Sequence, residues 1–283
     1  IDDANKMTKN NEGLYVKTFN GITISANNQP QFKVVKNAGK EGETWYPEGD
    51  GSSNWVITPS YLGGDGIYNI TITFNAETNE IGVSGVKISW NTIAELNALQ
   101  NNTTFTFFGE PLVVAKPTAK NVYIKDETGA SLIYDVSGEK TAAAEAGKTI
   151  AAPWTGKVSI YKKLFELVPD AALTVKDGDA VEVTYDEATA TDVTEENVNK
   201  VVIIKGLTIS EINEKNITFA IGEATIAGYN QFGIELPEVT EGKTFDVVGA
   251  IGRYNDNIQF QPITITEAAA PVAELDYYLA GKL

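Results

Sequence analysis

Apolar positions along the chain alternate with polar ones in short runs, and helical spacing is rare. Leu14–Phe19, Ile22–Ser25, Gln31–Val35, Trp55–Thr58, Ile67–Phe74 and Glu80–Val83 alternate or are β-branched. So do Phe105–Phe108, Val113–Val114, Val122–Lys125, Ser131–Tyr134, Gly156–Tyr161 and Ala180–Tyr185. Val201–Ile204, Ile217–Ile221, Thr244–Ala250 and Gln259–Ile265 complete the series. Gly, Asn and Asp clusters separate these runs, as turns between strands do. The pattern predicts an all-β protein of sandwiches or small barrels. Helix is predicted at Thr92–Leu99 (TIAELNAL), where Thr92 caps and Glu95 stands three residues on. A weaker signal covers Thr194–Lys200 with Thr194 as cap, and 139–147 reads as a helical turn or a loop.

The helix-then-strand order occurs twice, which points to an internal repeat. TIAELNAL is followed by TTFTFFGEPLVVA, NVYIKDETGASLIYD and AGKTIAAPWTGKVSIYKKLFELVP. TEENVNK is followed by VVIIKGLTISEI, NITFAIGEATIAGYN and EGKTFDVVGAIGRYNDNIQFQPITI. Gly147-Lys148-Thr149 aligns with Gly242-Lys243-Thr244, and Gly156-Lys157-Val158 with Gly249-Ala250-Ile251. Five strands and a helix per copy fit two small Greek-key barrels.

Composition narrows the chemistry. The chain has 283 residues, which suggests two or three domains, and a net charge of −16. Its only arginine is Arg253. Such a surface repels phosphate backbones and lacks the bidentate arginines that read guanine, so nucleic acid is not an expected partner. Neither cysteine nor histidine occurs. Thiol and Ser-His-Asp nucleophiles are thereby excluded, and thiolate zinc sites with them. The chain reads as non-enzymatic, with no cofactor and no metal. No apolar run approaches a membrane span, and no signal peptide opens the chain, as in a mature chain or a fragment.

Two resemblances follow from particular segments. YIKDETGASLIYD, TGKVSIYKKLFELVP and FDVVGAIGRYNDNIQFQP resemble the oligonucleotide/oligosaccharide-binding (OB) fold domains of Bacteroidetes surface proteins. Residues 7–83, with MTKNNEGLYVKTF, TWYP and GIYNITITFNAETNEIGV, are similar to the starch-utilisation outer-membrane lipoproteins E and F. That likeness implies an immunoglobulin-like glycan-binding module and an extracellular or outer-cell-surface location. The family's module opens with a Tyr-Tyr-Leu-x-Gly strand, which residues 1–88 lack. The expected layout is an incomplete sandwich over 1–88, OB-like barrels over 89–185 and 186–267, and a linker with donor strand over 268–283.

The final residues, DYYLAGKL, look like the absent opening strand. Tyr277, Leu279, Gly281 and Leu283 alternate with Asp276, Tyr278, Ala280 and Lys282, as a strand requires. Three readings stay open: exchange of this strand between copies in a head-to-tail filament, supply of the strand by an adjacent tandem repeat, or a loose truncated tail. The expected function is structural assembly through Asp276–Leu283; the alternative is cell-surface binding of a polysaccharide.

Candidate sugar platforms are Trp45, Tyr46 and Trp55, with Asp50, Asn54 and Glu48 to meet hydroxyls; core packing competes for Trp55 and Trp45. The 48–54 loop (EGDGSSN) lacks the EF-hand pattern and reads as a solvated loop. Gly63-Gly64-Asp65-Gly66 reads as a hairpin turn, and Gly147-Lys148-Thr149 lacks the glycine of a phosphate loop because position 142 is Ala142.

Overall fold

A computed structural model describes residues 3–268. The described residues are almost all β, with 48% strand against 8% helix. It forms two compact units. One comprises the chain up to Leu96 with Thr104–Gly109 and Ala152–Thr155; the other comprises Asn97–Thr103, Glu110–Ala151 and the chain from Gly156 onward.

The first unit holds strands β1 (Thr8–Lys9), β2 (Tyr15–Ile24), β3 (Gln31–Phe32), β4 (Val34–Lys36), β5 (Thr44–Tyr46), β6 (Trp55–Val56), β7 (Gly66–Asn75), β8 (Glu80–Lys87), β9 (Ser89–Trp90) and β10 (Thr104–Phe107). Its main sheet has the order β1-β2-β7-β8, and two ribbons, β3-β6 and β4-β5, stand apart from it. In β7 every second side chain (Tyr68, Ile70, Ile72, Phe74) is buried, as period-2 alternation dictates. The flanking strands are less covered. β2 buries only Ile24 and β8 buries no residue, while Phe19, Ile81 and Val83 pack against the core only half-buried. Among the described residues β8 pairs with β7 alone, and the far side of β2 meets only β1, at Tyr15 and Val16.

Two short helices punctuate this unit. α1 (Pro59–Leu62) starts at the Thr58 cap and ends at Gly63, whose φ of 90° suits a left-handed cap. The Gly63–Gly66 stretch thus stops a helix instead of turning a hairpin. α2 (Ile93–Asn97) buries Ile93 and Leu96. Its capping box is complete: Glu95 N–H donates to Thr92 Oγ1 (3.3 Å), and Thr92 N–H to Glu95 Oε2 (3.1 Å). It stops short of Leu99 because the chain turns over Gln100–Asn102, with Asn102 at φ 67°. Trp154 is buried with its ring edge-on to Phe105 and Phe107, at centroid distances of 5.1 and 5.8 Å.

The second unit carries β11 (Leu112–Ala115), β12 (Asn121–Asp126), β13 (Gly129–Tyr134), β14 (Trp154–Tyr161, its first two residues counted with the first unit) and β15 (Leu164–Pro169). It continues with β16 (Asp186–Glu187), β17 (Val201–Asn213), β18 (Asn216–Ile221), β19 (Ala224–Tyr229), β20 (Phe245–Tyr254) and β21 (Asn257–Glu267). Strands follow the order β11-β12-β13-β15-β14 in the first half, and β17-β18-β19-β21-β20 in the second. β17 also pairs β20, which closes the second set into a five-stranded barrel. The order fits the Greek-key barrel of an OB fold. Its core includes Phe219 and Phe260, packed edge-on at 6.0 Å; each such buried ring contributes roughly 1.5–3 kcal/mol.

The two halves match in register, not only in order. Asn121 opposes Tyr134 as Asn216 opposes Tyr229. Gly156 opposes Pro169 as Gly249 opposes Pro262, and Tyr161 opposes Leu164 as Tyr254 opposes Asn257. Register shifts fall at Val113/Ala115 in one and Ile209/Glu211 in the other. The joining strands are parallel in both, Ile133 beside Leu167 and Gly228 beside Phe260. Between the halves lies a shared apolar cluster of Val114, Ala115, Tyr123, Leu132, Val201 and Ala250.

Ala180–Tyr185 alternates in sequence but forms no strand. Val183 and Tyr185 instead pack singly into the shared cluster, and Val181 N–H donates to Gly147 O at 2.9 Å. Gly147 has φ 85°, and a Cβ there would meet Val181 O at 2.2 Å, so the backbones approach too closely for any side chain. The stretch 139–147 forms turns, and Thr194 leads into one short 3₁₀ turn, Glu195–Asn197.

Candidate functional site

The front ribbons decide how the aromatic candidates are arranged. Trp45 and Tyr46 are consecutive in β5, so they project from opposite faces. Tyr46 turns inward and packs on Phe74 at 4.9 Å between ring centroids. Trp45 remains 42% exposed. Its indole N–H donates to Glu43 Oε1 (2.9 Å), and Gly39 N–H donates to the other carboxylate oxygen (2.5 Å). These two donors, the Gly39 N–H first, hold the Glu43 carboxyl below the usual range. Trp55 joins a separate cluster, 5.8 Å from Phe32 and 5.0 Å from Tyr61. The three aromatics therefore do not form one platform; Trp45 offers a single open face.

Asp50 caps its own loop. Ser52 donates to Asp50 Oδ1 from its hydroxyl (2.5 Å) and its N–H (2.9 Å), which lowers the carboxyl's pKa. Lys33 Nζ reaches Pro47 O (2.7 Å), Gly49 O (3.1 Å) and Ser53 Oγ (2.9 Å), tying the same loop to β3–β4. Among the described residues no three acidic side chains gather to hold a metal ion, and no helix is long and apolar enough to cross a membrane. The assembly strand Asp276–Leu283 and its linker from 269 lie outside the described residues.

Two features of the second unit carried no sequence motif. Glu166 is 7% exposed beside the shared cluster, and desolvation pushes its carboxyl up to about 7, against a Ser159 hydrogen bond that lowers it. The same burial, with Glu166 nearby, raises the Tyr123 phenol. A cleft of about 200 Å³ lies where Phe165 and Lys163 of the first half meet Val198, Asn199 and Arg253 of the second. These residues are scattered through the chain, so no local pattern announces them.

No family model matches the chain, and neither does any curated protein sequence.

Proposed function

We propose that this chain is a non-enzymatic structural protein of the extracellular space or outer cell surface, assembling head to tail by strand addition. The front sheet takes up a strand offered by Asp276–Leu283 of a neighbouring copy or an adjacent repeat. The supporting observation is the sheet β1-β2-β7-β8: its flanking strands leave Phe19, Ile81 and Val83 half-buried, and β8 has no second strand beside it among the described residues, although its Val83 O accepts from the Tyr61 hydroxyl (3.0 Å). An open edge presents unpaired N–H and C=O groups, which an added strand satisfies. A donor with Tyr277, Leu279 and Leu283 on one face adds roughly 1.5–3 kcal/mol per buried side chain before ordering costs. Donor and acceptor on different copies make a heterologous contact, which propagates as an open filament.

Removing residues 276–283 is expected to convert large assemblies to monomers in light scattering and electron micrographs. A free DYYLAGKL peptide is expected to compete with assembly of the full chain. Polymerisation that is unchanged by both treatments would end this reading.

A second reading, binding of a surface polysaccharide, is favoured by the exposed Trp45 face and its fixed indole. An aromatic face of this kind stacks on the C–H side of a sugar ring. Affinity electrophoresis in starch and host glycans is expected to lose its retardation with Trp45→Ala, while assembly is retained. Equal mobility of the two proteins in every gel removes this reading.

A further inference from the structure

We propose that β8 is the edge that receives Asp276–Leu283, and that the donor runs antiparallel to it with Lys282 opposite Glu80 and Tyr277 opposite Gly85. This inference rests on the assembly reading and fixes its edge, direction and register. The backbone of β8 supplies the frame. Ile88 N–H donates to Ile67 O (2.8 Å), and the β7–β8 ladder runs on from there, from Tyr68 opposite Lys87 to Asn75 opposite Glu80. In an antiparallel pair every second residue turns its N–H and C=O to the partner strand. Val86, Ser84 and Gly82 therefore bond to β7, while Gly85, Val83 and Ile81 turn their backbone groups outward. Tyr61 marks that outward row, since its hydroxyl donates to Val83 O (3.0 Å). Side chains alternate as well: Ile81 and Val83 pack against the core, whereas Glu80, Ser84 and Val86 are exposed.

Charge selects the direction. β8 begins at Glu80 and ends at Lys87, and the donor begins at Asp276 and carries Lys282 near its end. A parallel strand brings like charges together at both ends, and an antiparallel one brings opposite charges together. Alternation selects the face, because Tyr277, Leu279 and Gly281 must stand on the core side with Val83 and Ile81. Overlap selects the register. With Tyr277 opposite Gly85, Asp276–Lys282 spans Val86–Glu80 and Lys282 meets Glu80 directly. A slip of two residues either way carries one end of the donor off β8 and parts that charge pair. Leu62 stands beside Gly85, where an added Cβ would meet its Cδ2 at 2.8 Å, so the Tyr277 ring finds an apolar neighbour there. The remaining core-side pairs set Leu279 against Val83 and Gly281 against Ile81, which crowds neither. The donor contains no proline, so each of its N–H groups can join the ladder. Leu279 N–H then replaces the Tyr61 hydroxyl at Val83 O; Tyr61 is 51% exposed and turns out into solvent.

The chain has no cysteine, so introduced pairs report the register directly. Facing residues of a non-bonded antiparallel pair lie about 4.5 Å apart at Cα, within reach of a disulfide. Under mild oxidation the full chain carrying Ser84→Cys and Tyr278→Cys is expected to form covalent ladders on a gel, which reductant disperses. Ser84→Cys combined with Asp276→Cys or with Ala280→Cys reports the two slipped registers and is expected to give much fainter ladders. Lys282→Glu is expected to raise the protein concentration needed for assembly about threefold, and Glu80→Lys in the same chain to restore it. Ser84 and Glu80 are both exposed, so these changes leave the core untouched. Stronger ladders from a slipped pair overturn the inference, as does a charge swap that fails to restore assembly. Absence of ladders from all three pairs, while deletion of 276–283 still abolishes assembly, overturns it and leaves the assembly reading standing. Assembly that survives the deletion overturns both.

Discussion

Set side by side, the two halves of the second unit share one strand order and register, but only the second closes into a barrel, and they differ at two matched positions. Asp135 N–H donates to Lys120 O (3.0 Å), and Asn230 N–H to Lys215 O (2.7 Å), at the same point after the matched Tyr134 and Tyr229. Glu166 opposes Ser159 where Gln259 opposes Gly252. The first half therefore holds a carboxylate at both places where the second holds an amide. A carboxylate only accepts while an amide also donates, so each side chain dictates the loop around it. Asp135 gathers the N–H groups of Ser137 (3.2 Å) and Lys140 (2.8 Å) and the Ser137 hydroxyl (2.9 Å). Asn230 instead makes a reciprocal pair with Ile234, donating from Nδ2 (2.8 Å) and accepting at Oδ1 (3.0 Å). One frame thus tolerates either chemistry, provided the next few residues supply the complementary groups.

The largest break in this comparison is expected from Asp135→Ala. It strands three part-buried donors at once and should cost about 2–3 kcal/mol in chemical denaturation. Burial pushes the Asp135 carboxyl up, but the Lys140 and Ser137 donors outweigh it and hold the net pKa below the usual value. Its stabilising contribution is present above the ordinary carboxylate range and is lost as pH falls through the lowered folded-state value. Glu166 has the opposite sign. Its folded pKa near 7 exceeds the ordinary 4.5, so the folded state holds the proton more tightly between those values. Stability then falls as pH rises from about 4.5 to about 7 and levels off above. Glu166→Gln, which copies the second barrel, should raise stability at pH 8 by about 1–2 kcal/mol after screening and flatten that slope. Denaturation curves at pH 5 and pH 8 measure both effects.

The smallest change expected is Asn230→Asp, the reverse exchange. It removes the donor to Ile234 O and should cost about 1 kcal/mol at neutral pH, less once the new carboxyl is protonated. Equal stability of Asn230→Asp and the parent at pH 7 would show that the amide is interchangeable there, against the local hydrogen-bond geometry.

Much of the fold was legible because alternation and turn chemistry act locally. The β7 run, the Thr92–Glu95 capping box and the paired hairpins of the repeat all follow from neighbours within a few residues. Ala180–Tyr185 misleads because its alternation serves isolated packing into a shared cluster, with no ladder partner beside it. Gly63-Gly64 ends a single helical turn, which a hairpin signal mimics, since both need a positive φ. The candidate site was less legible. Strict alternation already places Trp45 and Tyr46 on opposite faces of β5, whereas the separate packing of Trp55 on Phe32 and Tyr61 depends on distant residues. The cleft at Asn199 depends on residues brought together only by the packing of the two halves of the second unit, and Arg253 stood out in composition without revealing its neighbours.

Closure of the second barrel has a mechanical consequence. β17 is bonded to β20 through its first part and to β18 through its last, so the ring is closed, with its thinnest joint at the single Gly228–Phe260 pair between β19 and β21. Pulling out any one strand exposes two raw flanks at once, whereas an open sheet can peel from one side. The ring should accordingly stay intact or come apart in a single step, leaving gradual fraying to the sheet at the front of the chain.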